Sequence, residues 1–171
     1  EPDETEWIQG IIAQLEMEGY ARSVKTKIGS TDVYMYIYSK SIWDEDAQSF
    51  EQDSVFIFQP GNGAVNSEIP GYENELESRP WAKANPSAVY IADGVTGIGS
   101  HAFDTISTLN KLEIEDPASL TYVGDHAFQN CNKRTGPIDL SGVTNMGEAA
   151  FYGCSRLQKV TLGRRLANNL R

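Results

Sequence analysis

Three copies of one motif decide how this chain folds: IGSHAFDTISTL (98–109), VGDHAFQNCNKR (123–134) and MGEAAFYGCSRL (146–157). The first and second copies begin 25 residues apart, and the second and third begin 23 residues apart. A near-constant period of this length is typical of proteins built from stacked structural repeats. The second half of the chain is therefore predicted to be a repeat array.

Alignment of the three copies places residues of one kind in each column. The columns hold Ile98, Val123 and Met146; Ala102, Ala127 and Ala150; Phe103, Phe128 and Phe151; and Gly99, Gly124 and Gly147. The three apolar columns predict ladders of buried side chains. A glycine directly after the first ladder predicts a tight bend that needs either positive φ or a close backbone approach.

Short triplets with apolar ends lie between the copies of the motif. They are 89–91 (VYI), 112–114 (LEI), 138–140 (IDL) and 160–162 (VTL). Stacked about 4.8 Å apart, they would form a parallel sheet with the phenylalanine ladder behind it. Because no single repeat can bury its own apolar edge, the stack must be closed at both ends.

The pattern IGxxAFxxC, as in VGDHAFQNC (123–131) and MGEAAFYGC (146–154), resembles the BspA-like family of leucine-rich repeats. The resemblance is specific for residues 87–162 and reaches into 54–86, where a glycine-rich stretch and Pro80 precede the first repeat. It departs from the pattern at Ile106, where the later copies carry cysteine, and at Arg134, where the other copies carry leucine.

The resemblance implies that residues 87–171 form a short BspA-like leucine-rich-repeat solenoid, a parallel β ladder with tight turns, and together with the N-terminal elements described below the predicted fold class is α+β. It also implies a secreted or cell-surface location in bacteria and non-enzymatic, adhesion-type binding of a protein or glycan of a host or cell surface. Leucine-rich repeats usually engage ligands on the concave sheet face. The outward residues of the triplets would lie there: Tyr90, Glu113, Asp139 and Thr161. The alternative is a structural spacer or cap of a larger surface protein.

Residues 1–86 are predicted to be a separate capping segment of one helix and about three antiparallel strands. In 1–20 the apolar residues share one helical face, Asp3 and Glu6 match a capping box, and Gly19 supplies the stop. From Arg22 the period changes to two, which predicts strands at 23–28, 33–40 and 54–58. The alternating tyrosines of the second strand, Tyr34, Tyr36 and Tyr38, are expected to pair across the sheet or pack on another layer rather than form a binding surface.

Residues 41–53 (SIWDEDAQSFEQD) are predicted to be a solvated acidic loop. Calcium binding is the alternative, but the sixth position from Asp44 is Ser49, where an EF-hand loop needs glycine. Residues 60–86 are rich in glycine and proline, which predicts irregular surface structure. Trp81 within them is expected to cover the open front of the repeats.

The net charge of −10 is concentrated in the first half of the chain. Residues 1–86 hold 16 acids and 6 bases, whereas residues 87–171 hold 8 of each. An acidic body argues against nucleic-acid binding, and no apolar run is long enough for membrane insertion. After Glu148 only bases occur, so Arg164 and Arg165 beside Leu162 and Leu166 mark the C-terminal end as a candidate for self-association.

His101 and His126 share a column beside Ser100, Asp125 and Glu148, and are weak candidates for a metal site. Because the third member of the column is alanine and the chain has no other histidine, we predict no metal and no cofactor. The chain lacks nucleophile-elbow, phosphate-loop, zinc-protease and dinucleotide motifs, so an enzyme is not predicted. Cys131 and Cys154 also share a column, where a disulfide is possible but buried free thiols are favoured.

Overall fold

The computed structural model describes residues 2–73, 79–81, 84–133, 136–164 and 166. In chain order the elements are α1 (Glu6–Met17), β1 (Ala21–Lys27), β2 (Val33–Asp44), β3 (Ser49–Pro60), β4 (Glu68–Ile69), β5 (Pro86–Ile91), β6 (Gly97–Ile98), β7 (Lys111–Ile114), a 3-10 turn (Pro117–Ser119), β8 (Tyr122–Val123), β9 (Ile138–Leu140), β10 (Asn145–Met146) and β11 (Val160–Leu162). One helix and many strands, several of them parallel, make the fold α+β. The four triplets are strands or parts of strands, as predicted.

The first sheet joins the N-terminal segment to the repeats. Its strand order is β1-β2-β3-β5-β7, antiparallel through β1, β2 and β3 and parallel through β3, β5 and β7. Strand β9 lies beside β7 and pairs in parallel with β11. A second, all-parallel sheet has the order β4-β6-β8-β10. Each repeat therefore adds one strand to either side of the stack.

The phenylalanine ladder fills the space between the two sheets. The ring centroids of Phe103 and Phe128 are 5.4 Å apart, and those of Phe128 and Phe151 are 5.2 Å apart, with nearly parallel planes. Such an aromatic pair contributes about 0.5–1.5 kcal/mol beyond the area it buries. The backbone repeats in step, because the amide of Phe103 donates to the carbonyl of Ala127 and that of Phe128 donates to Ala150, both at 2.8 Å.

Trp81 covers the front of this ladder, as expected from the sequence. Its indole is 1% exposed and stacks on Phe103, with centroids 5.6 Å apart and planes 19° apart. The indole Nε1–H donates to the carbonyl of Ala102 at 3.0 Å. The only polar atom of the ring therefore keeps a partner although the ring is buried.

The glycine column is required for close approach and not for positive φ. A Cβ on Gly124 would lie 2.5 Å from the amide nitrogen of Ser100 and 2.8 Å from the carbonyl carbon of Gly99, on the preceding repeat. Positive φ instead occurs two residues later, at His101, His126 and Ala149 (58°, 56° and 54°). The structure thus decides between the two roles that the sequence left open.

Helix α1 packs on the outer face of the first sheet. Its buried residues Ile8, Ile12 and Leu15 share a second hydrophobic core with Tyr36 and Tyr38 of β2. Tyr36 and Tyr38 therefore pack on another layer, which is one of the two expected arrangements. The capping box at Asp3 was wrong, because Thr5 is the N-cap and its hydroxyl accepts from the amide of Ile8 at 3.4 Å.

Residues 41–53 are not a loop but the projecting end of a β-hairpin, which we call the arm. Strand pairing continues from Ser39–Ser54 out to Asp44–Ser49. The acidic composition concealed a cross-strand aromatic pair, Trp43 and Phe50, whose rings meet edge to face at 5.0 Å. The Asp44 carboxylate accepts from the amides of Asp46 (2.9 Å) and Ala47 (3.0 Å), which closes the turn.

The C-terminal end is better covered than the sequence indicated. Leu166 was expected to be uncovered but is 6% exposed and belongs to the main hydrophobic core, while Leu162 is half-buried against that core. Arg164 is exposed, and Arg165 and Arg134 lie outside the described residues. The main core extends from Ile28 to Leu166. Self-association through this end and the division into 1–86 and 87–171 stay predictions.

Two glycine-to-alanine substitutions should change stability in opposite directions. In Gly124→Ala the new methyl group meets backbone atoms of the preceding repeat, so the free energy of unfolding should fall by about 1–3 kcal/mol. In Gly10→Ala, in the exposed middle of α1, the new Cβ would meet no atom within 4 Å apart from the adjacent helix backbone, so the free energy of unfolding should rise by about 0.5–1 kcal/mol. Urea denaturation measures both. An unchanged midpoint for Gly124→Ala would contradict the close approach.

Candidate ligand-binding face

The four residues predicted to bind a ligand lie on one side of the repeat strands, and we call them the strand face. Tyr90 is the register partner of Glu113, and Asp139 is the partner of Thr161. Their neighbours Val89, Leu112, Ile138 and Leu140 point to the opposite side and are buried in the main core. Strand alternation therefore places all four on one surface. Whether they contact a ligand stays a prediction.

The strand face differs in exposure from one end to the other. Glu113, Asp139 and Thr161 are exposed, whereas Tyr90 is half-buried. Helix α1 covers the neighbouring strands on this side, and its Trp7 meets the Tyr90 ring edge to face at 6.1 Å. Tyr90 thus packs against the helix, and the open surface begins at its far edge.

A groove of about 350 Å³ separates α1 from β5 and β7. It is lined by Trp7, Gly10, Ile11, Gln14, Leu15, Glu18, Tyr90, Lys111 and Glu113. The Lys111 ammonium lies 5.1 Å from the centroid of the Tyr90 ring and 3.4 Å from the Glu113 carboxylate. The pKa of Lys111 is raised, first by a hydrogen bond with the Tyr90 hydroxyl and also by the nearby Glu113 charge, although partial burial opposes the rise.

The other side chains of the strand face offer hydrogen-bonding oxygens. One carboxylate oxygen of Asp139 accepts from the amide of Ser141 at 2.9 Å, which orients the group along the end of its strand. The hydroxyl of Thr161 lies on the neighbouring strand. The surface therefore changes from aromatic and cationic beside α1 to acidic and hydroxyl-bearing along β9 and β11.

Two groove residues, Trp7 and Lys111, were not among the predicted ligand residues. Lys111 was recognisable, because it is two positions before Glu113 and period-two alternation places both on one face of β7. Trp7 carried no such signal, because only the tertiary packing of α1 brings residue 7 next to residue 90.

The two histidines form a stacked pair on the turn side of the repeats. Their ring centroids are 4.8 Å apart and their planes differ by 17°. Nδ1 of His101 is 2.7 Å from the Asp104 carboxylate, and Nδ1 of His126 is 2.5 Å from the Gln129 side-chain oxygen. Each ring is thus held by the residue three positions later. In the described part of the chain, no three His, Cys, Asp or Glu side chains are grouped so as to hold a metal ion.

The two cysteines are free thiols in neighbouring repeats. Sγ of Cys131 donates to the carbonyl of Phe103 at 3.2 Å, and Sγ of Cys154 donates to that of Phe128 at 3.0 Å. The neighbouring Cys154 thiol, followed by burial, raises the pKa of Cys131. The Cys131 thiol in turn lowers the pKa of the half-buried Cys154.

Comparison with known families identifies the family of this chain. The family model described as BspA type leucine-rich repeat region (6 copies) matches residues 74–169, which is more than half of the chain. The chain belongs to the BspA-type leucine-rich repeat family. The resemblance inferred from the IGxxAFxxC motif is thereby confirmed. A search of curated proteins finds no match.

Solved structures with similarity to this family member include three other leucine-rich repeat proteins. A leucine-rich repeat protein from Eubacterium ventriosum is 14% identical, with a TM-score of 0.41 over 85% of this chain and 45% of the other. One from T. pallidum is 18% identical (TM-score 0.41; 71% and 67%), and a leucine-rich cell surface protein from Faecalibacterium prausnitzii is 20% identical (TM-score 0.40; 84% and 44%). The chain spans less than half of the first and third.

Within the described residues, no helix has the length and apolar character that a membrane crossing requires. Helix α1 has 12 residues, and its two acids, Glu6 and Glu16, are exposed. Its apolar side packs on the first sheet.

Thiol labelling should distinguish the two cysteines. With iodoacetamide on the native protein near pH 8, Cys154 should react faster than Cys131, because it is less buried and its pKa is lowered whereas that of Cys131 is raised. Peptide mass spectrometry over time gives both rates, and urea-unfolded protein is the control in which the rates should converge. Equal native rates, or labelling that requires a reductant, would contradict this arrangement.

Proposed function

We propose that this chain is a non-enzymatic interaction module of the bacterial cell surface or exterior, and that its short solenoid binds a protein or a glycan through the concave strand face. The observation that carries the proposal is the row of exposed side chains on successive strands, Glu113, Asp139 and Thr161, which begins at the groove beside α1. Leucine-rich repeats commonly use the concave surface of the stack for binding.

The chemistry of this row suits a ligand rich in hydrogen-bond donors. The carboxylates of Glu113 and Asp139 and the hydroxyl of Thr161 can accept hydrogen bonds from sugar hydroxyls or from the amides of a protein. Trp7 and Tyr90 at one end offer apolar ring surface that is already held in place, so little side-chain entropy is lost on contact. Aromatic surface beside fixed polar groups is the composition expected of a recognition site.

The extracellular location is supported by family membership and is proposed on that basis. The similar protein from Faecalibacterium prausnitzii is described as a cell surface protein. The net charge of −10 is compatible with such a location and opposes binding to nucleic acids or anionic lipid surfaces.

The test begins with the chain applied to arrays of glycans and of purified cell-surface proteins, followed by surface plasmon resonance on the best ligand. The triple variant Glu113→Ala/Asp139→Ala/Thr161→Ala should weaken binding at least about tenfold, equivalent to about 1.4 kcal/mol. These side chains are exposed, so the free energy of unfolding should change by less than about 0.5 kcal/mol per site.

A matched variant, Glu73→Ala/Glu148→Ala/Ser155→Ala, removes three exposed polar groups outside the strand triplets and should bind as the unchanged chain does. If both triple variants bind equally well, the ligand contacts another surface and the proposal is wrong. If neither array yields a ligand, the spacer interpretation is favoured instead.

A further inference from the structure

The arm carries a concentration of exposed apolar surface that the fold does not use. Trp43 is 43% exposed, Ile42 is 44% exposed and Phe50 is 70% exposed. Single exposed apolar residues are ordinary, but a contiguous group of large ones marks an interaction site. Trp43 and Phe50 are cross-strand partners on one face of the hairpin, whereas Ile42, next to Trp43 in the strand, is exposed on the other face.

The arm projects from the sheet with no strand on either side. Strand β1 pairs with β2 only as far as Ser39, and β5 pairs with β3 only from Ser54 onward. Residues 40–44 and 49–53 consequently pair only with each other among the described strands. A two-stranded ribbon is marginally stable by itself. A partner that covered the exposed rings would therefore stabilise the arm as well as bind it.

A cleft of about 1040 Å³ opens alongside the arm. On the arm side it is lined by Trp43, Glu51, Gln52 and Asp53, and on the repeat side by Pro80, Asn85, Thr108 and Asn110. Ile37 and Trp81 of the main core also line it, whereas α1 and Tyr90 belong to the second core on the other side of the sheet. The cleft and the strand face are therefore separate surfaces.

The negative charge of the arm and the cleft determines which class of ligand can bind there. Residues 41–53 contain five acids and no base. Among the described residues that line the cleft, four are acidic and one, Lys133, is basic. Such a surface repels nucleic acids, sulfated or sialylated glycans and acidic peptides. The same surface attracts positively charged groups.

Exposed aromatic rings on an acidic arm favour arginine over other cations. A guanidinium group can lie flat on an indole ring while its N–H groups donate to a carboxylate, and it gives up its water more readily than an ammonium group does. Trp43 provides the ring beside the cleft, and Glu45 and Glu51 contribute negative charge to the arm, with Glu51 on the opposite side of the ribbon from the ring. Asp53 already accepts hydrogen bonds from Tyr20 and Ser87, so it contributes mainly charge.

We propose that the arm and its cleft bind an arginine-rich segment of a partner protein, with guanidinium groups stacked on the Trp43 ring and the negative charge of the arm attracting the segment. This site is distinct from the strand face and does not depend on the function proposed for it. Its partner is recognised by positive charge and guanidinium shape, not by sugar hydroxyls.

Fluorescence anisotropy on the full chain can test this site with labelled peptides that alternate arginine and serine. At an ionic strength of about 0.05 M the peptide should bind saturably, and binding should weaken strongly at about 0.5 M. A lysine-for-arginine peptide should bind several-fold more weakly, and a glutamate-for-arginine peptide should not bind. The substitution Trp43→Ala should weaken binding of the arginine peptide by about tenfold.

A second variant, Glu45→Gln/Glu51→Gln, keeps the aromatic pair and the hairpin, so its loss of binding cannot be attributed to an unfolded arm. Tyr152→Ala, which removes an exposed ring (69% exposed) from the last repeat, is the control and should bind normally. The strand-face triple variant should also bind normally, which separates this test from the preceding one.

Three results would overturn the proposal. The first is no saturable binding at low salt. The second is equal affinity for the arginine and lysine peptides with no effect of Trp43→Ala, which indicates nonspecific attraction to an acidic surface. The third is binding of neutral oligosaccharides in a manner sensitive to Trp43→Ala while the peptides fail to bind, which would make the cleft a glycan site.

Discussion

Contact between neighbouring repeats across the glycine column is the constraint on which the structure depends. Gly124 lies so close to the backbone of the preceding repeat that no side-chain carbon fits there. This proximity lets Phe103 stack on Phe128 at 5.4 Å and keeps the amide-to-carbonyl bonds between repeats near 2.8 Å. Ring stacking and backbone pairing therefore require the same spacing. A repeat that lost the glycine would disturb both.

A ladder of this kind must be closed, and the N-terminal segment closes it at two levels. Trp81 continues the ring stack beyond Phe103, and strand β3 continues the repeat sheet beyond β5. Helix α1 then covers the outer side of the added strands and ends its cover at Tyr90. The position of α1 is what creates the groove and sets where the open strand face begins. The packing of α1 on the first sheet therefore both helps to close the repeat stack and forms one wall of the groove at the candidate site.

The candidate surfaces could be anticipated to different degrees. Period-two alternation was enough to place Glu113, Asp139 and Thr161 on one face, and it would have added Lys111. It could not reveal that Trp7 packs against Tyr90, because the pairing joins residues far apart in the chain. The arm was misjudged as a loop because five acids outweighed two aromatic residues in a composition-based interpretation. In the folded hairpin Trp43 and Phe50 are cross-strand partners, and such pairs stabilise a sheet.

By itself, the sequence determined the repeat period, the columns that face inward, the strand triplets and the family, because each repeat makes the same local contacts at a fixed spacing. Tertiary structure decided what repetition cannot encode. It assigned the glycines to close approach, buried Leu166, extended β2 and β3 into the arm, and laid α1 over one end of the strand face. The position of α1 arises from a contact between distant segments that occurs once and so leaves no period in the sequence. The roles of the glycines and the pairing in the arm depend on which atoms approach each other, and residue type alone does not specify that.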